Sequence, residues 1–470
     1  MGEKNAIIRI LESWANKEGN IHSMDEILSW IDELNKTTYV NIRECSVNES
    51  TFWFYDDYNG EILNRKRSFF SVKGMRLFED DRFVTEQPVI IQPEIGYLGI
   101  LCKEIDGVMN FLMQAKIEPG NVNCVQISPT IQATKSNFTR AHGGKLPAYF
   151  DYFEHAERHH VIYDQIQSEQ GARFYKKRNR NMILEVTEDV EVLPNFMWMT
   201  LGQIKELFKI DNLVNMDTRT VLSGIPFGTV KFDAKELQEI AELFTDKAFY
   251  RSIFEAEEAE NLTEIYQYIN NYKMFHDVKA VTVPLNQLAD WKVDEYGVTG
   301  LKQTNFEVRY YDIAISGREV SQWNQPLFKA TGESVFGLMC RRVQNREGEE
   351  ILQYLVSAKS EIGSFDKIEL GPSVQREPVE LDSEKNVVDQ VFDKYLAEQK
   401  GIQLDVMLSE EGGRFYHEQN RNVIMEIAAE EIETLPEGYF WVNYSTLNYL
   451  VQVNNCLNIQ LRNLLSLQRL

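Results

Sequence analysis

The chain has 470 residues, 43% hydrophobic and 26% charged, with 49 Lys and Arg against 72 Asp and Glu for a formal net charge of −23. Such a length leads to an expectation of roughly two to four domains, the negative field opposes non-specific attachment to nucleic acid or an anionic membrane, and no apolar run approaches the roughly 18 residues of a membrane span. The N-terminus shows no basic, apolar and cleavage-site order, so a cytoplasmic protein is expected, and five scattered cysteines without CxxC spacing offer neither a zinc site nor a disulfide framework.

In chain order, a helix is expected first, over ILSWIDEL, where Ile27, Trp30, Ile31 and Leu34 recur at helical spacing. Short strand-like runs follow: RSFFSV, YLGILCKEI, MNFLMQAKI and CVQISPTIQAT. Cys102, inside one of these runs, and Cys340 in the second half read as small buried core residues. LPAYFDYFEHAERHHVIYDQI then reads as helix, MILEV as strand, and a closing helix follows Leu193-Pro194. An acidic, helix-prone segment from Lys235 to Asn271 comes next, and its EIYQYI is similar to the earlier EILSWI. The second round contains the helix KNVVDQVFDKYLAEQ, the strand VIMEI and a helix after Leu435-Pro436. Strands, helix, strand and helix in each round imply an α+β fold with helices outside a mixed β-sheet.

The two rounds are copies. GARFYKKRNRNMILEV from Gly171 and GGRFYHEQNRNVIMEI from Gly412 agree at nine of 16 positions. Trp53 pairs with Trp291, Leu63 with Leu301, Phe69-Phe70 with Tyr310-Tyr311, Lys116 and Glu118 with Lys359 and Glu361, Gln132 with Gln375, Asn215 with Asn458 and Arg219 with Arg462. A period this long means tandem globular domains, because solenoid units are about 20–50 residues. The expected division is 1–230 and 231–470.

Several segments carry candidate chemistry. Lys116 and Glu118 sit two apart, on one face of a strand, as an acid/base pair or an ordinary ion pair. Gln132, Thr134, Lys135, Ser136, Asn137, Arg140 and His142 form a loop rich in donors to phosphate. In the second copy Glu377, Pro378, Val379 and Glu380 replace Thr134 to Asn137, which would spoil such a loop. The first copy is therefore the expected working half, and Arg414 and Arg421 in the second are expected to serve stability. RFYKKRNRN places five cations in nine residues, with Arg173, Tyr175 and Arg178 as candidates; a buried carboxylate network is the structural alternative for Arg173. Asn215, Asp217, Thr218 and Arg219 could read a base edge or ribose. His155 and His159 are spaced i and i+4, with no HExxH and no third ligand, so a solvent-facing helix is preferred to a metal site.

Together LMQAKIEPGNVNCVQISPTIQATKSNFTRAHGG, RFYKKRNRNMILEV and DNLVNMDTRTVLSG resemble the NDP-hexose 2,3-dehydratase family, over essentially the whole chain. The resemblance implies a tandem duplication of a Nudix-like domain, a homodimer, and a dTDP-linked 4-keto-6-deoxy hexose as substrate. It implies loss of the C2 hydroxyl after C3 proton abstraction, giving a 3,4-diketo-2,6-dideoxy sugar for a downstream 3-ketoreductase. On this reading Lys116, Glu118, His142 and Tyr175 are the catalytic candidates. Gln132, Thr134, Lys135, Ser136, Asn137, Arg140, Arg173, Arg178, Asn215, Asp217, Thr218 and Arg219 hold the nucleotide sugar. No metal or cofactor is expected, since no hydride moves overall and no GxGxxG is present. The rival readings are a non-catalytic nucleotide-sugar binding protein and a nucleotide-sugar pyrophosphatase, the latter without the Nudix catalytic box.

Overall fold

The structure, a computed structural model, describes residues 3–135, 146–256, 261–317, 321–381 and 383–470. Helix Met24–Thr37 starts where Ser23 and Glu26 cap each other reciprocally, and it buries Ile27 and Ile31, the stripe its spacing predicts. Helix Leu262–Phe275 holds the matching place in the second copy and buries Ile265 and Ile269.

Each copy builds a seven-stranded mixed sheet. In the first, Gly96–Ile105 lies antiparallel to Val108–Ile117 and parallel to Arg178–Glu185. In the second, Val335–Gln344, Glu350–Lys359 and Gln419–Glu426 repeat that order. Helices join the sheets into one core in which Trp14, Leu207, Phe249, Tyr444 and Leu464 belong to a single apolar cluster. Cys102 and Cys340 are fully buried within it.

The smaller sheets are interlaced. Strand Val40–Glu44 of the first copy pairs with Phe306–Ile315 of the second. Its counterpart Val278–Val283 pairs with Ser71–Glu79 of the first. Each small sheet thus borrows its edge strand from the other copy.

The GxRFY segments cross as well. Gly120 donates its amide to Gly412 O at 2.7 Å and accepts from His417 N at 2.8 Å. Gly363 makes the mirrored contacts with Gly171 and Lys176, both at 2.8 Å. A β-carbon on Gly120 would stand 1.5 Å from Phe415 O, and one on Gly363 would stand 1.8 Å from Phe174 O, so only glycine permits these approaches.

Two sequence expectations change. Residues 146–166 are not one helix: helix Phe150–Glu154 ends at His155, and strand His160–Ser168 pairs with Arg178–Glu185. Pairing with a neighbouring strand overrides the local helical pattern, and His155 and His159 do not share a helical face. The pairing of Phe69-Phe70 with Tyr310-Tyr311 also shifts. Val72 faces Ile90 and Val308 faces Phe328, while Ile90 and Phe328 bridge to Phe174 and Phe415. Phe70 therefore corresponds to Phe306, and by the same register Leu63 corresponds to Thr299 rather than Leu301.

Candidate active site between the two copies

Strand Val108–Ile117 ends beside a cavity of about 910 Å³ and delivers Lys116 to it, with Glu118 in the following turn. That volume lies in the range of small-molecule sites. Lys116 Nζ stands 2.9 Å from Glu118 Oε1, and Gln132 Nε2 donates to the same oxygen at 3.3 Å. Gln132 is held from behind by Asn215, whose amide donates to Gln132 Oε1 at 3.2 Å. The other end of that amide caps helix Met216–Leu222, accepting from Thr218 N at 2.9 Å. The cap places Asp217 at the cavity wall.

Among the described residues, six carboxyl groups line this cavity: Glu118, Glu169, Asp217 and Glu411, together with Glu49 and Asp312, which pair with Arg43. Burial, reinforced by the neighbouring Glu169, Glu411 and Glu118, pushes the Asp217 carboxyl well above the usual carboxylate range, with Lys116 opposing. Glu411 is pushed up to about 7, first by burial and then by Glu118. Burial lowers Lys177 to about 8 against the pull of Glu169, and its ammonium donates to Glu94 O at 2.5 Å.

The second copy completes the wall. The crossing segment 411–416 brings Glu411, Gly413 and Arg414 into the first copy's cavity. Gln325 Nε2 holds Gly413 O at 2.8 Å. The Arg414 guanidinium lies 4.5 and 4.6 Å from the ring centres of Phe69 and Phe70 and donates to Gln92 Oε1 at 3.1 and 3.3 Å. Among the described residues, no carboxylate stands within ion-pair distance of it.

The mirrored position in the second copy keeps the frame and changes the charges. Glu361 accepts from Gln375 at 2.8 Å, and Gln375 accepts from Asn458 at 2.8 Å, as in the first copy. Where the cavity has Thr134, Lys177, Asp217 and Glu411, this position has Glu377, Glu418, Gln460 and Gln170. Arg173, the counterpart of Arg414, crosses into it. It pairs with Glu377 at 2.6 Å and Glu418 at 3.7 Å and stacks over Phe306 at 4.5 Å. Its charge is spent on the protein's own acids.

Of the residues singled out in the sequence, Lys116, Glu118, Gln132, Thr134 and Asp217 line the cavity. The others fall elsewhere for identifiable reasons. Arg173 belongs to the mirrored position. Tyr175 packs with Met75, Val89 and Ile362. Arg178 stacks on Phe365 at 3.7 Å. Arg219 is buried and ties Val214 O to Ser409 O, at 2.8 and 2.9 Å, and Arg462 repeats this tie in mirror image. Asn215 and Thr218 stand behind the wall as cap and strand anchor. Lys135 is exposed, and Ser136, Asn137, Arg140 and His142 lie outside the described residues.

Sequence reasoning missed Glu411 and Glu169, and it expected of Arg414, which lines the cavity, a role in stability. A signal existed: Glu377 and Glu418 replace Thr134 and Lys177 in the second copy, and two new acids, Glu418 buried and Glu377 partly so, require a cation. The shared NRN residues are structural in both copies. Asn179 and Asn420 each clamp a glutamate at 2.6 Å, and Arg180 and Arg421 each pair with an aspartate at 2.6 Å.

A family model described as NDP-hexose 2,3-dehydratase matches residues 24–225 and again residues 262–467. Three curated relatives carry the name dTDP-4-dehydro-6-deoxy-alpha-D-glucopyranose 2,3-dehydratase. One from Saccharopolyspora spinosa is 38% identical over 418 residues, covering 88% of this chain and 85% of its own. One from Amycolatopsis orientalis is 33% identical over 470 residues, covering 97% and 93%. One from Streptomyces violaceoruber is 33% identical over 446 residues, covering 94% and 96%.

Proposed function

The chain belongs to the NDP-hexose 2,3-dehydratase family, and from that premise we propose that its cavity binds a dTDP-linked 4-keto-6-deoxy hexose and removes water across C2 and C3 of the sugar. The observation that carries this reading is the Arg414 guanidinium, buried without an acid partner in the cavity that holds Lys116 and Glu118. A buried cation with no carboxylate in ion-pair contact among the described residues, and with Glu411 nearby pushed toward its protonated form, favours an anionic group, and the diphosphate is the anionic group of such a substrate. Lys177 adds a second positive charge at neutral pH.

The chemistry follows from the ketone at C4, which makes the C3 hydrogen acidic. Glu118, an acceptor held by Lys116 and Gln132, takes that proton. Lys116 faces the enolate oxygen as negative charge develops there, a form of stabilisation that commonly contributes a hundredfold or more. The enolate electrons return to the C4 carbonyl, the C2–C3 double bond forms, and the C2 hydroxyl departs with a proton. The enol then tautomerises to the 3,4-diketo-2,6-dideoxy sugar. Burial pushes the Asp217 carboxyl well above the usual carboxylate range, which favours its acting as a donor to a sugar oxygen.

Lys135, Ser136, Asn137 and Arg140, which follow Thr134 in the chain, are proposed from sequence as further phosphate and sugar contacts, and His142 as a further candidate for acid or base. The first copy is proposed as the working half and the second as its structural partner. No helix among the described residues is long and apolar enough to cross a membrane; cytoplasmic residence, a homodimer and a ketoreductase that consumes the reactive diketone complete the proposal. The test is incubation of the pure protein with dTDP-4-keto-6-deoxyglucose, followed by mass spectrometry. Loss of water or decay products of the diketone are expected; unchanged substrate with tight binding would favour a binding protein instead.

A further inference from the structure

Elimination needs two proton transfers, one from C3 and one to the departing hydroxyl, and Lys116 and Glu118 account for the first. We infer that Glu411, supplied across the interface by the second copy, is the catalytic acid that protonates the C2 hydroxyl as it leaves. The inference rests on the dehydratase reading above and deepens it.

The geometry is set by Gly413. A β-carbon on this residue would stand 2.2 Å from Glu411 Oε1 and 3.4 Å from Glu118 Oε1, so the two carboxyl groups converge on the space that glycine leaves open. Lys116 holds Glu118 from its own side at 2.9 Å. The result is a row: an ammonium, a carboxylate tied to it, and a second carboxyl group beside the first. Two adjacent carboxyl groups do not both ionise readily: Arg414 and Lys116 oppose protonation of Glu411, Glu118 and Glu169 favour it, and the carboxyl group outside the ion pair is the one that takes up the proton. Burial acts in the same direction, and Glu411 is pushed up to about 7.

The duplication supplies an independent comparison. Glu118 and Lys116 recur as Glu361 and Lys359, whereas Glu411 is matched by Gln170, whose amide is tied to Glu410. An amide cannot donate and then regain a proton through a cycle. The mirrored position therefore keeps the base and its cation and lacks the acid.

The step balances without a co-reactant. Glu118 receives the C3 proton as the enolate forms. When the C2–O bond breaks, its electron pair leaves with oxygen, and the Glu411 proton converts the departing hydroxide into water. Glu411 is left as carboxylate. Ketonisation of the C2–C3 enol moves one proton from the C3 hydroxyl to C2 and leaves the sum unchanged, and exchange of the Glu118 proton to Glu411 across the Gly413 gap restores both groups.

The experiment runs wild type and Glu411→Gln in deuterium oxide with dTDP-4-keto-6-deoxyglucose. It reads deuterium at C3 of recovered substrate separately from loss of water. In Glu411→Gln, C3 exchange is expected to persist within about threefold while elimination falls by about 10²–10⁴-fold, the range for a general acid. The 2-deoxy-2-fluoro analogue, whose fluoride leaves without prior protonation, is expected to react in the variant at close to the wild-type rate. Exchange and elimination falling together with dTDP binding intact, or elimination continuing at the wild-type rate, would overturn the assignment. Should Glu411→Gln fail to fold, Glu411→Asp takes its place: slowed hydroxyl loss with normal fluoride loss supports the inference, and equal slowing of both overturns it. A wild-type protein that neither exchanges nor eliminates would overturn the dehydratase reading and this inference with it, whereas wild-type elimination that survives Glu411→Gln overturns the inference alone.

Discussion

Arg173 and Glu377, from opposite copies, form a 2.6 Å ion pair at the place where the mirrored cavity sets Arg414 beside Thr134. Arg173 is paired with the protein's own acids, whereas no carboxylate among the described residues stands within ion-pair distance of Arg414. Replacing Arg173 with Ala strands Glu377 and Glu418 without a cation, and the expected loss of stability is about 3–5 kcal/mol. Replacing Arg414 with Ala instead weakens dTDP binding about tenfold to a hundredfold, the range of a charge-assisted hydrogen bond. Urea unfolding and calorimetric titration of both variants check the contrast.

The charge pattern is expected to be transferable. Changing Glu377 to Thr together with Glu418 to Lys gives the mirrored position two residues of the first copy's cavity, Thr134 and Lys177, and removes the acids that pair with Arg173. Calorimetry with dTDP is expected to give about one site per chain for the parent and about two for the double variant, with the second site weaker because Gln460 and Gln170 remain.

The buried acids set a pH dependence of stability. Glu361 is pushed up to about 7, and Glu369 and Glu418 to about 8, in each case first by burial. Each of these folded-state values lies above the unfolded one, so their contribution is full below the ordinary carboxylate range and is lost as pH rises through the folded values. Lys177 and Lys205, lowered by burial to about 8 and about 7, act with the opposite sign between those values and the ordinary lysine range. Thermal midpoints are therefore expected to fall from about pH 5 to 7 and to level off above about 8. Glu418→Gln is expected to flatten the fall.

Lys177 links pH to binding as well. Its charge is lost as pH rises through about 8, so dTDP affinity is expected to decline between about pH 7 and 9. Lys177→Met is expected to bind more weakly at neutral pH and to lose that decline, which titrations across the range would show.

Gly120 tests the crossing of the chain. Alanine there would drive a β-carbon onto Phe415 O and displace the segment that carries Glu411 and Arg414. Overpacking of this kind costs about 1–3 kcal/mol. Gly120→Ala is expected to lose turnover in excess of its loss of stability, while Gly363→Ala at the mirrored crossing loses stability with turnover retained in the folded fraction.

The duplication, the α+β character and five of the cavity residues were legible because each depends on neighbours close in sequence. Lys116 and Glu118 share a strand end, Gln132 and Thr134 follow one strand, and Asp217 follows its cap. Arg414 and Glu411 were hidden because two identical GxRFY segments exchange places, and a linear repeat does not say which copy each segment faces. The same exchange moved Arg173 out of the expected phosphate site. Arg219 was misleading for another reason: an arginine that ties two backbone carbonyls across copies looks, in sequence, like one that awaits a ligand. The helix expected over residues 146–166 failed because strand pairing, a non-local effect, decided its second half.

The most direct measurement is a crystal structure of the protein soaked with dTDP. The diphosphate is expected within hydrogen-bond distance of Arg414 and Lys177, in the cavity that also holds Lys116 and Glu118, with the Arg173–Glu377 pair intact. A diphosphate bound to Arg173 with Glu377 displaced, and nothing beside Arg414, would contradict the account.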